Sequence, residues 1–356
     1  MKGWATRSSI SIGCWPRAEV WMTRVLVTGA AGYIGSHACK ALAHAGFEPI
    51  GIDNLSRAGR TAIPGGPLIV ADIGNRALLD DVLRTYRPVA AMHFAAYAYV
   101  GESVLQPTIY YRNNFVGSLT LLEALISASI DKIVFSSTCA TYGIPLEVPI
   151  AEDHPQSPIN PYGSSKLMIE RMLADFDAAH GVRHVALRYF NAAGADPENE
   201  LGECHDPETH AVPLAIEAAL GRRAAFEIFG SDYHTADGTA IRDYIHVTDL
   251  VDAHVRALRY LLDGGTSLAI NLGTGQGHSV RQLLDAVTRV TGATIPVLLA
   301  PRRAGDPPVL VANPQRARAV LGWRAERDLS EILRTAVAWH RCLPDQSSRV
   351  ASGGTT

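Results

Sequence analysis

The chain has 356 residues, of which 47% are hydrophobic and 19% are charged. This ordinary globular composition excludes a largely disordered or collagen-like chain, and the length allows one large domain or two joined ones. The formal net charge of −3 gives no electrostatic reason to expect nucleic acid or an anionic membrane as a partner. An anionic ligand would therefore have to be bound by a local site.

The cysteines are sparse and show no CxxC spacing: Cys14, Cys39, Cys139, Cys204 and Cys342. An odd, scattered set argues against a disulfide framework, so we expect a reducing, cytoplasmic setting. No stretch approaches the ~20 consecutive apolar residues that a membrane helix requires, so we expect no membrane span.

The folded part of the chain is expected to begin at Met22, because the strand pattern TRVLVTG follows it directly. Residues 1–21 show no periodicity, which predicts a disordered extension. A targeting peptide is the alternative, although the segment lacks a proper apolar core and cleavage site. The small, polar residues of 344–356 predict a frayed tail.

Between these ends, apolar strands alternate with amphipathic helices. Strands are predicted at 24–29, 49–53, 67–72, 89–96, 132–137 and 182–190, and helices after Gly35, near 76–86, over about 107–128 and from Pro161. The alternation predicts an α/β fold, a Rossmann-like doubly wound parallel sheet with helices on both faces. Longer loops beyond residue 195 predict a smaller mixed α/β C-terminal substrate domain.

A glycine turn joins the first strand to the first helix. Gly29, Gly32 and Gly35 form a GxxGxxG pattern, in which residues without Cβ let the backbone approach a pyrophosphate at the positive helix end. Asp53 ends the second strand, 18 residues after Gly35, where a carboxylate can bind both ribose hydroxyls and repel a 2′-phosphate. The pattern predicts NAD rather than NADP, and Arg57 is the residue whose charge would oppose that preference.

Two other features of the sequence bear on nucleotide binding. Asp72 follows the third strand, placed either to meet the adenine edge or to be solvated. A second glycine group, Gly273, Gly275 and Gly277, also follows a strand. No acid-tipped strand comes after it at the right distance, so we interpret it as a tight turn.

Tyr162 and Lys166 lie four residues apart in NPYGSSK, at the start of a helix, so their side chains share one face. A tyrosine is a poor base at neutral pH, but a nearby ammonium and a cationic nicotinamide would lower its pKa by stabilising the phenolate. Tyr162 can then accept a proton from a sugar hydroxyl as hydride leaves the same carbon. The preceding strand end supplies the hydroxyls of Ser136, Ser137 and Thr138 beside the cofactor.

These motifs together resemble the extended short-chain dehydrogenase/reductase family. Longer segments are similar to the UDP-glucose 4-epimerases, from about Met22 to His340, among them TGAAGYIGSH, VGESV, LRYFNAAGADP, DGTAIRDYIHVTDL and APRRAGDPP. The resemblance implies that hydride passes from C4 of a UDP-sugar to a tightly held NAD and returns to the opposite face of a 4-keto intermediate. It places an NAD-binding domain at 22–190 and a UDP-sugar domain mainly at 191–343, with some chain returning to the sheet.

The resemblance also implies roles for single residues. Tyr162 would be the base, Lys166 would hold the cofactor ribose and tune Tyr162, and Thr138 would bridge the sugar hydroxyl and Tyr162. The remaining cofactor contacts would come from Gly29, Gly32, Tyr33, Ile34, Gly35, Asp53, Asn54, Asp72, Ile73, Phe94, Ala95, Ala96, Asn113, Ser136 and Tyr189.

On the substrate side, Asn191 would meet the phosphates or the sugar, and Arg242 and Arg303 would clamp the pyrophosphate. Two arginines flanked by loops suit a diphosphate, because guanidinium groups bind it in pairs. By the same resemblance, Asp306 would bind the uridine ribose and Phe229 would lie beside uracil.

Two positions bear on cofactor binding and specificity within this resemblance. Ala98 stands where many epimerases carry a lysine that reaches toward the cofactor phosphates. Arg24, Lys132 or a residue that the sequence does not place would have to compensate. Leu310 stands where the family sets the size of the sugar pocket, and its branched side chain is expected to disfavour an N-acetyl group.

The segment GECHDPETH concentrates possible zinc ligands, namely Cys204, His205, Asp206, Glu208 and His210. Their spacing matches no common zinc pattern, so we expect no metal. The resemblance implies instead a loop over the uridine diphosphate, with His210 lining the mouth of the site.

Other functions of proteins with this fold or cofactor are the alternatives. Epimerisation of UDP-xylose and UDP-arabinose, or dual specificity, stays open because one hydroxymethyl group changes discrimination by only a few kcal/mol. Dehydratases and decarboxylases of this fold place an acid after the strand-end hydroxyl, where this chain has Cys139 and Ala140, which argues against both. A non-enzymatic NAD-binding sensor would have no use for Tyr162 and Lys166. The resemblance also implies a homodimer, formed through the helices around 107–128 and 161–180.

Overall fold

The computed structural model describes residues 22–57, 62–303 and 306–343. The expectations for residues 1–21 and 344–356 lie outside the described residues. The strands are β1 (Thr23–Thr28), β2 (Phe47–Asp53), β3 (Leu68–Val70), β4 (Ala90–His93), β5 (Lys132–Thr138), β6 (Arg183–Tyr189), β7 (Asn191–Ala193), β8 (Phe226–Phe229), β9 (Ile241–Arg242), β10 (Tyr244–His246), β11 (Leu268–Leu272), β12 (His278–Ser279), β13 (Val297–Ala300) and β14 (Val309–Leu310). The helices are α1 (Tyr33–His44), α2 (Arg76–Tyr86), α3 (Val100–Leu105), α4 (Pro107–Tyr110), α5 (Gly117–Ser127), α6 (Pro161–His180), α7 (Ala211–Ala219), α8 (Val247–Leu262), α9 (Val280–Thr291), α10 (Gln315–Leu321) and α11 (Leu329–Cys342).

Seven strands form the main sheet in the order β11-β6-β5-β4-β1-β2-β3, and every neighbouring pair is parallel. Successive residues of β1 enter different apolar cores, Val25 and Val27 one and Leu26 the other, because strand side chains alternate between the two faces. Helices cover both faces, which explains why the strands are apolar throughout. The predicted Rossmann-like doubly wound sheet is confirmed, and β11 returns to it from the second half of the chain.

The helix predicted over about 107–128 is interrupted. It consists of α4, a π-helical segment at Tyr111–Val116, and α5. In that segment the buried Asn114 amide accepts from the Tyr97 backbone N–H at 2.8 Å and donates to Ser165 Oγ at 3.1 Å. π-helical turns occur frequently at functional sites, and this one carries Asn113 to the cavity described below.

The second half of the chain forms the smaller mixed α/β part. It contains the parallel pairs β7·β10 and β8·β13 and a three-stranded sheet in the order β12-β9-β14. A separate apolar core packs α7, α9 and α11 together through side chains such as Ile216, Val287 and Ile332. Among the described residues, none of the helices combines the length and hydropathy needed to cross a membrane.

Candidate active site

A cavity of approximately 1090 Å³ lies where the carboxyl ends of the main-sheet strands face the smaller half. This edge is where doubly wound folds bind their ligands. Of the predicted cofactor contacts, the following line it: Gly29, Gly32, Tyr33, Ile34, Gly35, Asp53, Asn54, Ile73, Phe94, Ala95, Ala96, Asn113, Ser136, Tyr162, Lys166 and Tyr189. So do all the predicted substrate contacts: Thr138, Asn191, His210, Phe229, Arg242, Arg303, Asp306 and Leu310.

The glycine turn between β1 and α1 is tightly packed. Gly29 has φ +70°, and a Cβ there would lie 2.6 Å from the Ala95 nitrogen. A Cβ on Gly35 would lie 2.0 Å from the Gly29 carbonyl oxygen. Gly32 precedes α1 and provides no side-chain cap, so the first N–H groups of the helix face the cavity side without competition from a capping residue. A bare helix N-terminus beside glycines suits a phosphate group.

Asp53 ends β2 with its side chain held in place by the backbone. Its Oδ2 accepts from the Ala31 N–H at 3.0 Å, and its Oδ1 accepts from the Leu55 N–H at 2.8 Å. Each carboxylate oxygen has a second lone pair, so a diol can still be bound. The fixed orientation and the negative charge suit a ribose with two free hydroxyls.

The proposed catalytic side chains meet at the end of β5 and the start of α6. Asn160 caps α6 by accepting from the Gly163 N–H at 2.8 Å, which places Tyr162 and Lys166 on the first turns. The Lys166 ammonium donates to the Ser136 carbonyl oxygen at 2.8 Å and lies 4.9 Å from the centre of the Phe135 ring. Thr138 and Tyr162 both line the cavity beside Lys166, and the bridging role of Thr138 stays a prediction.

Two arginines define the opposite wall of the cavity. Arg242 forms an ion pair with Asp306 and donates from Nη1 to the Ile241 carbonyl oxygen at 2.9 Å. The Arg303 guanidinium lies 3.8 Å from the centre of the Phe229 ring. One wall of the cavity therefore contains four side chains that were predicted from separate segments of the sequence, namely Arg242, Arg303, Asp306 and Phe229.

Comparison with known proteins identifies the family. Residues 25–273 match the model of the NAD dependent epimerase/dehydratase family. The chain belongs to this family. A UDP-glucose 4-epimerase of Rhizobium leguminosarum bv. trifolii is 57% identical over 89% of this chain and 97% of its own.

Solved structures agree with this membership. A UDP-glucose 4-epimerase from Brucella ovis in complex with NAD superposes with a TM-score of 0.87 at 52% identity, covering 89% of this chain and 98% of its own. A UDP-glucose-4-epimerase from Stenotrophomonas maltophila, solved with bound NAD and formylated UDP-arabinopyranose, also reaches 0.87 at 38% identity, covering 92% and 99%.

Burial controls the ionisation of Tyr162 and Lys166. It raises the pKa of Tyr162 to about 12, against the opposing effect of the hydrogen bond with Thr138. It lowers the pKa of Lys166 to about 7, against the opposing charge of Glu170. The lowered tyrosine pKa expected from the sequence is therefore not a property of the protein alone, because desolvation penalises both charged forms.

The Asp72 carboxylate is hydrogen-bonded within the turn that follows β3. Its Oδ1 accepts from the Gly74 N–H at 2.7 Å and its Oδ2 accepts from Asn54 Nδ2 at 2.8 Å. Ala71 and Ile73, on either side, line the cavity, whereas Asp72 does not. The carboxylate fixes the turn after β3 and is exposed, and each of its oxygens keeps a second lone pair, so the adenine contact of Asp72 stays a prediction.

The second glycine group is a tight turn, as predicted. The buried Asp243 carboxylate accepts from the backbone N–H groups of Thr274 and Gly275, at 2.9 and 3.0 Å. A Cβ on Gly273 would lie 2.5 Å from an Asp243 carboxylate oxygen. These N–H groups are thus already bound by a protein anion, and a phosphate is not needed to satisfy them.

The cation near Ala98 is Arg57, which the sequence did not single out for this role. Neither residue suggested as a compensating cation lines the cavity: Arg24 pairs with Glu48 at 2.8 Å and Lys132 with Asp131 at 2.7 Å. Arg57 does line it. The Arg57 guanidinium lies 5.0 Å from the centre of the Tyr97 ring and 5.1 Å from that of Tyr99, and it pairs with Glu102 at 2.6 Å.

The loop before α7 gathers a set of possible ligands that differs from the predicted one. Glu203, His205, Glu208 and His210 bring one side-chain N or O atom each to within 4.8 Å of one another. Cys204 and Asp206 are not part of this group. Glu203 was missed because its position in the sequence gives no sign that it turns inward, where it is 4% exposed.

Proposed function

We propose that this protein is an NAD-dependent UDP-glucose 4-epimerase that interconverts UDP-glucose and UDP-galactose. The observation that carries the proposal is the meeting of Tyr162, Lys166 and Thr138 in a cavity shared by a nucleotide-binding sheet edge and an arginine-lined wall. The family membership and the names of its relatives support the same activity.

The residues at the sheet edge fit NAD. The glycine turn and the start of α1 would hold the pyrophosphate, and Asp53 the adenosine ribose. Ser136 and Tyr189, whose hydroxyls are hydrogen-bonded to each other, line the cavity beside Lys166 and would bound the nicotinamide end. When bound, NAD supplies reversible hydride acceptance at the sugar carbon.

Tyr162 takes the proton of the C4 hydroxyl, and Thr138 relays or orients it. Lys166 has its ammonium within reach of the cavity and already fixed on the Ser136 carbonyl, which suits a contact with a ribose hydroxyl. Because burial disfavours both ions, positive charge brought by an oxidised cofactor would be the main influence that lowers the tyrosine pKa. The proton returns from Tyr162 when the rotated 4-keto sugar is reduced on its other face.

The wall formed by Arg242 and Arg303 would bind the UDP diphosphate, with Asn191 at the sugar end. Asp306 would bind the uridine ribose and Phe229 would lie beside uracil. The Arg303 guanidinium would then stack on one face of the Phe229 ring, while uracil lies beside the same ring.

The sugar specificity follows from the same cavity. Leu310 lies in β14 beside Arg242 in β9, is 9% exposed and lines the cavity, so little room is available for an added N-acetyl group. We expect weak turnover of UDP-N-acetylglucosamine, and a rate equal to that with UDP-glucose would contradict this. Cys139 and Ala140, which carry no acid, stand where dehydratases and decarboxylases need one. The relatives' names favour the hexose over the pentose.

Other parts of the proposal concern the setting of the enzyme. The cysteines described by the structure, Cys39, Cys139, Cys204 and Cys342, are free thiols, which suits the reducing cytoplasm. We divide the chain into an NAD-binding part at 22–190 and a UDP-sugar part mainly at 191–343. The predicted cofactor contacts that line the cavity all lie in the first part, and the predicted substrate contacts, except Thr138, lie in the second. A homodimer through the helices around 107–128 and 161–180 would cover Val116, in the π-helical segment before α5, and Met168 in α6, which are 50% and 37% exposed. Light scattering of the purified protein tests the dimer.

Purified protein incubated with UDP-galactose tests the activity. Formation of UDP-glucose without net production of NADH is expected, and no epimer with or without added NAD would contradict the proposal. Tyr162→Phe should abolish turnover while NAD stays bound, and Tyr260→Phe, on α8 outside the cavity, should leave the rate unchanged. An NAD-binding sensor would hold the cofactor and give no epimer in either protein. UDP-xylose in parallel measures the pentose alternative.

A further inference from the structure

Two histidines and two glutamates converge in the loop that leads into α7. His210 Nδ1 lies 2.7 Å from Glu203 Oε1 and 3.0 Å from Glu208 Oε1. His205 Nδ1 lies 3.0 Å from Glu203 Oε1 and 3.8 Å from Glu208 Oε2. Each histidine therefore lies beside both glutamates, with Glu208 using a different oxygen toward each, and we refer to these four side chains as the His/Glu cluster.

The separations match those around a small divalent ion. Zinc bonds to histidine nitrogen and carboxylate oxygen are about 2.0–2.2 Å long, so neighbouring donors in a tetrahedral site lie roughly 3.4 Å apart. The four observed separations, from 2.7 to 3.8 Å, fall on both sides of this value. One nitrogen or oxygen atom of each side chain lies within 4.8 Å of the others, so side-chain movements could bring four donors around one ion.

The cluster is built as a supported site. Glu208 Oε1 also accepts from the backbone N–H groups of Thr209 and His210, at 2.7 and 2.8 Å, so its orientation is fixed by the chain itself. Backbone bonds of this kind orient the ligands in metal sites. Glu203 is 4% exposed, and a buried carboxylate requires a nearby positive charge.

An independent observation points to a missing ligand. Tyr99 is 8% exposed, its ring lies 5.9 Å from that of His205 and 6.1 Å from that of His210, and its hydroxyl has no hydrogen-bond partner. A buried hydroxyl without a partner destabilises the folded state. An ion at the cluster, together with a bound water, would provide such a partner.

We propose that Glu203, His205, Glu208 and His210 bind a divalent transition-metal ion of the zinc type beside the Tyr99 hydroxyl. Imidazole and carboxylate donors suit Zn²⁺ and its neighbours better than Ca²⁺ or Mg²⁺, which take oxygen ligands alone. Two carboxylates with two neutral imidazoles also balance the charge of a dication. The ion ties the loop of the substrate half together and fixes His210 at the mouth of the cavity, and it takes no part in hydride transfer.

The competing arrangement is a network without metal, in which protonated histidines donate to the two carboxylates. A direct binding experiment separates the two. Purified, chelator-treated holoenzyme is dialysed and titrated with Co²⁺, whose visible spectrum reports ligand type and geometry, and the bound metal is counted by mass spectrometry. We expect one ion per chain, visible bands of a four- or five-coordinate nitrogen and oxygen site, and displacement by Zn²⁺.

Variants locate the site. His205→Ala and Glu208→Gln should each weaken Co²⁺ binding at least about tenfold. Cys204→Ser is the matched control in the same loop, and Glu198→Gln controls for the other acidic group, where Lys40 already pairs with Asp196 at 2.9 Å. Both controls should bind as the parent does.

The spectrum of the unaltered protein keeps the test valid if a variant fails to fold, because a thiolate-to-cobalt band in the near ultraviolet would assign the ion to cysteine instead. No stoichiometric ion, a thiolate band, or binding that survives both His205→Ala and Glu208→Gln would overturn the proposal. In each case the cluster is a histidine–carboxylate ion-pair network.

Discussion

Replacing Lys166 by methionine should make the NAD-free protein more stable below neutral pH and remove part of the pH dependence of its unfolding. Lys166 is 2% exposed, and burial lowers its pKa from 10.5 to about 7. Between these two values the unfolded chain holds a proton that the folded chain has lost. The free energy of unfolding of the parent protein therefore rises with pH across this window.

The magnitude follows from the two pKa values. A difference of about 3.5 units corresponds to about 5 kcal/mol of destabilisation when the pH lies well below 7. Linkage then predicts that Lys166 alone raises the free energy of unfolding of the parent protein by about 3 kcal/mol between pH 6 and pH 9. Methionine has a similar length and no charge, so the variant lacks this pH-dependent destabilisation. It also loses about 1 kcal/mol of stability with the hydrogen bond to the Ser136 carbonyl.

Urea unfolding followed by circular dichroism, on both proteins freed of nucleotide, measures the difference at the two pH values. The variant should be more stable at pH 6, and its advantage should shrink by about 3 kcal/mol at pH 9. Effects of other titrating groups cancel because both proteins share them. A difference that stays the same within about 0.5 kcal/mol would refute the reasoning, since it would mean that Lys166 is not desolvated in the folded state.

Three further changes test other parts of the structure. Asp53→Asn keeps one acceptor oxygen but removes the charge, and should reduce the preference for NAD over NADP in a binding titration by about 1.5–3 kcal/mol; an unchanged preference would exclude the carboxylate as its cause. Arg57→Ala should release NAD about tenfold faster through loss of its tyrosine and Glu102 contacts, whereas Arg24→Ala, outside the cavity, should release it at the parent rate. Glu170→Gln leaves the buried Arg188 without its 2.6 Å partner and should cost about 3–5 kcal/mol in denaturant unfolding, and a loss below 1 kcal/mol would show that water screens the pair.

Much of the fold could be predicted from the sequence because its signals are local. Apolar runs with β-branched residues predicted the strands, and the helix at Arg76–Tyr86 was predicted within its observed bounds. The glycine turn, the acid at the end of β2 and the Tyr162–Lys166 spacing predicted residues that all line one cavity, since parallel strands end at the same edge.

What could not be predicted depends on contacts between distant segments. Asp72 turns to the Gly74 backbone and Asn54, which no strand pattern reveals. Arg57 reaches the cavity through two tyrosine rings and Glu102, which lie about 40 to 45 residues further along the chain. The inward turn of Glu203 likewise depends on the fold of the loop. The sequence therefore suggested Cys204 and Asp206 as possible ligands and did not suggest Glu203.

The states of the catalytic pair connect the fold to the chemistry. A phenol with a pKa of about 12 and an amine with a pKa of about 7 are both largely or partly uncharged at neutral pH, so the protein alone does not hold an active base. The same burial that suppresses these charges lowers the effective dielectric constant around both side chains, which strengthens the effect of any charge that a ligand brings. Oxidised NAD carries a positive nicotinamide, whereas reduced NAD does not, so the tyrosine pKa should be lower in the oxidised complex. Proton removal from the sugar is then favoured when the cofactor can accept hydride, and proton return is favoured when it has done so.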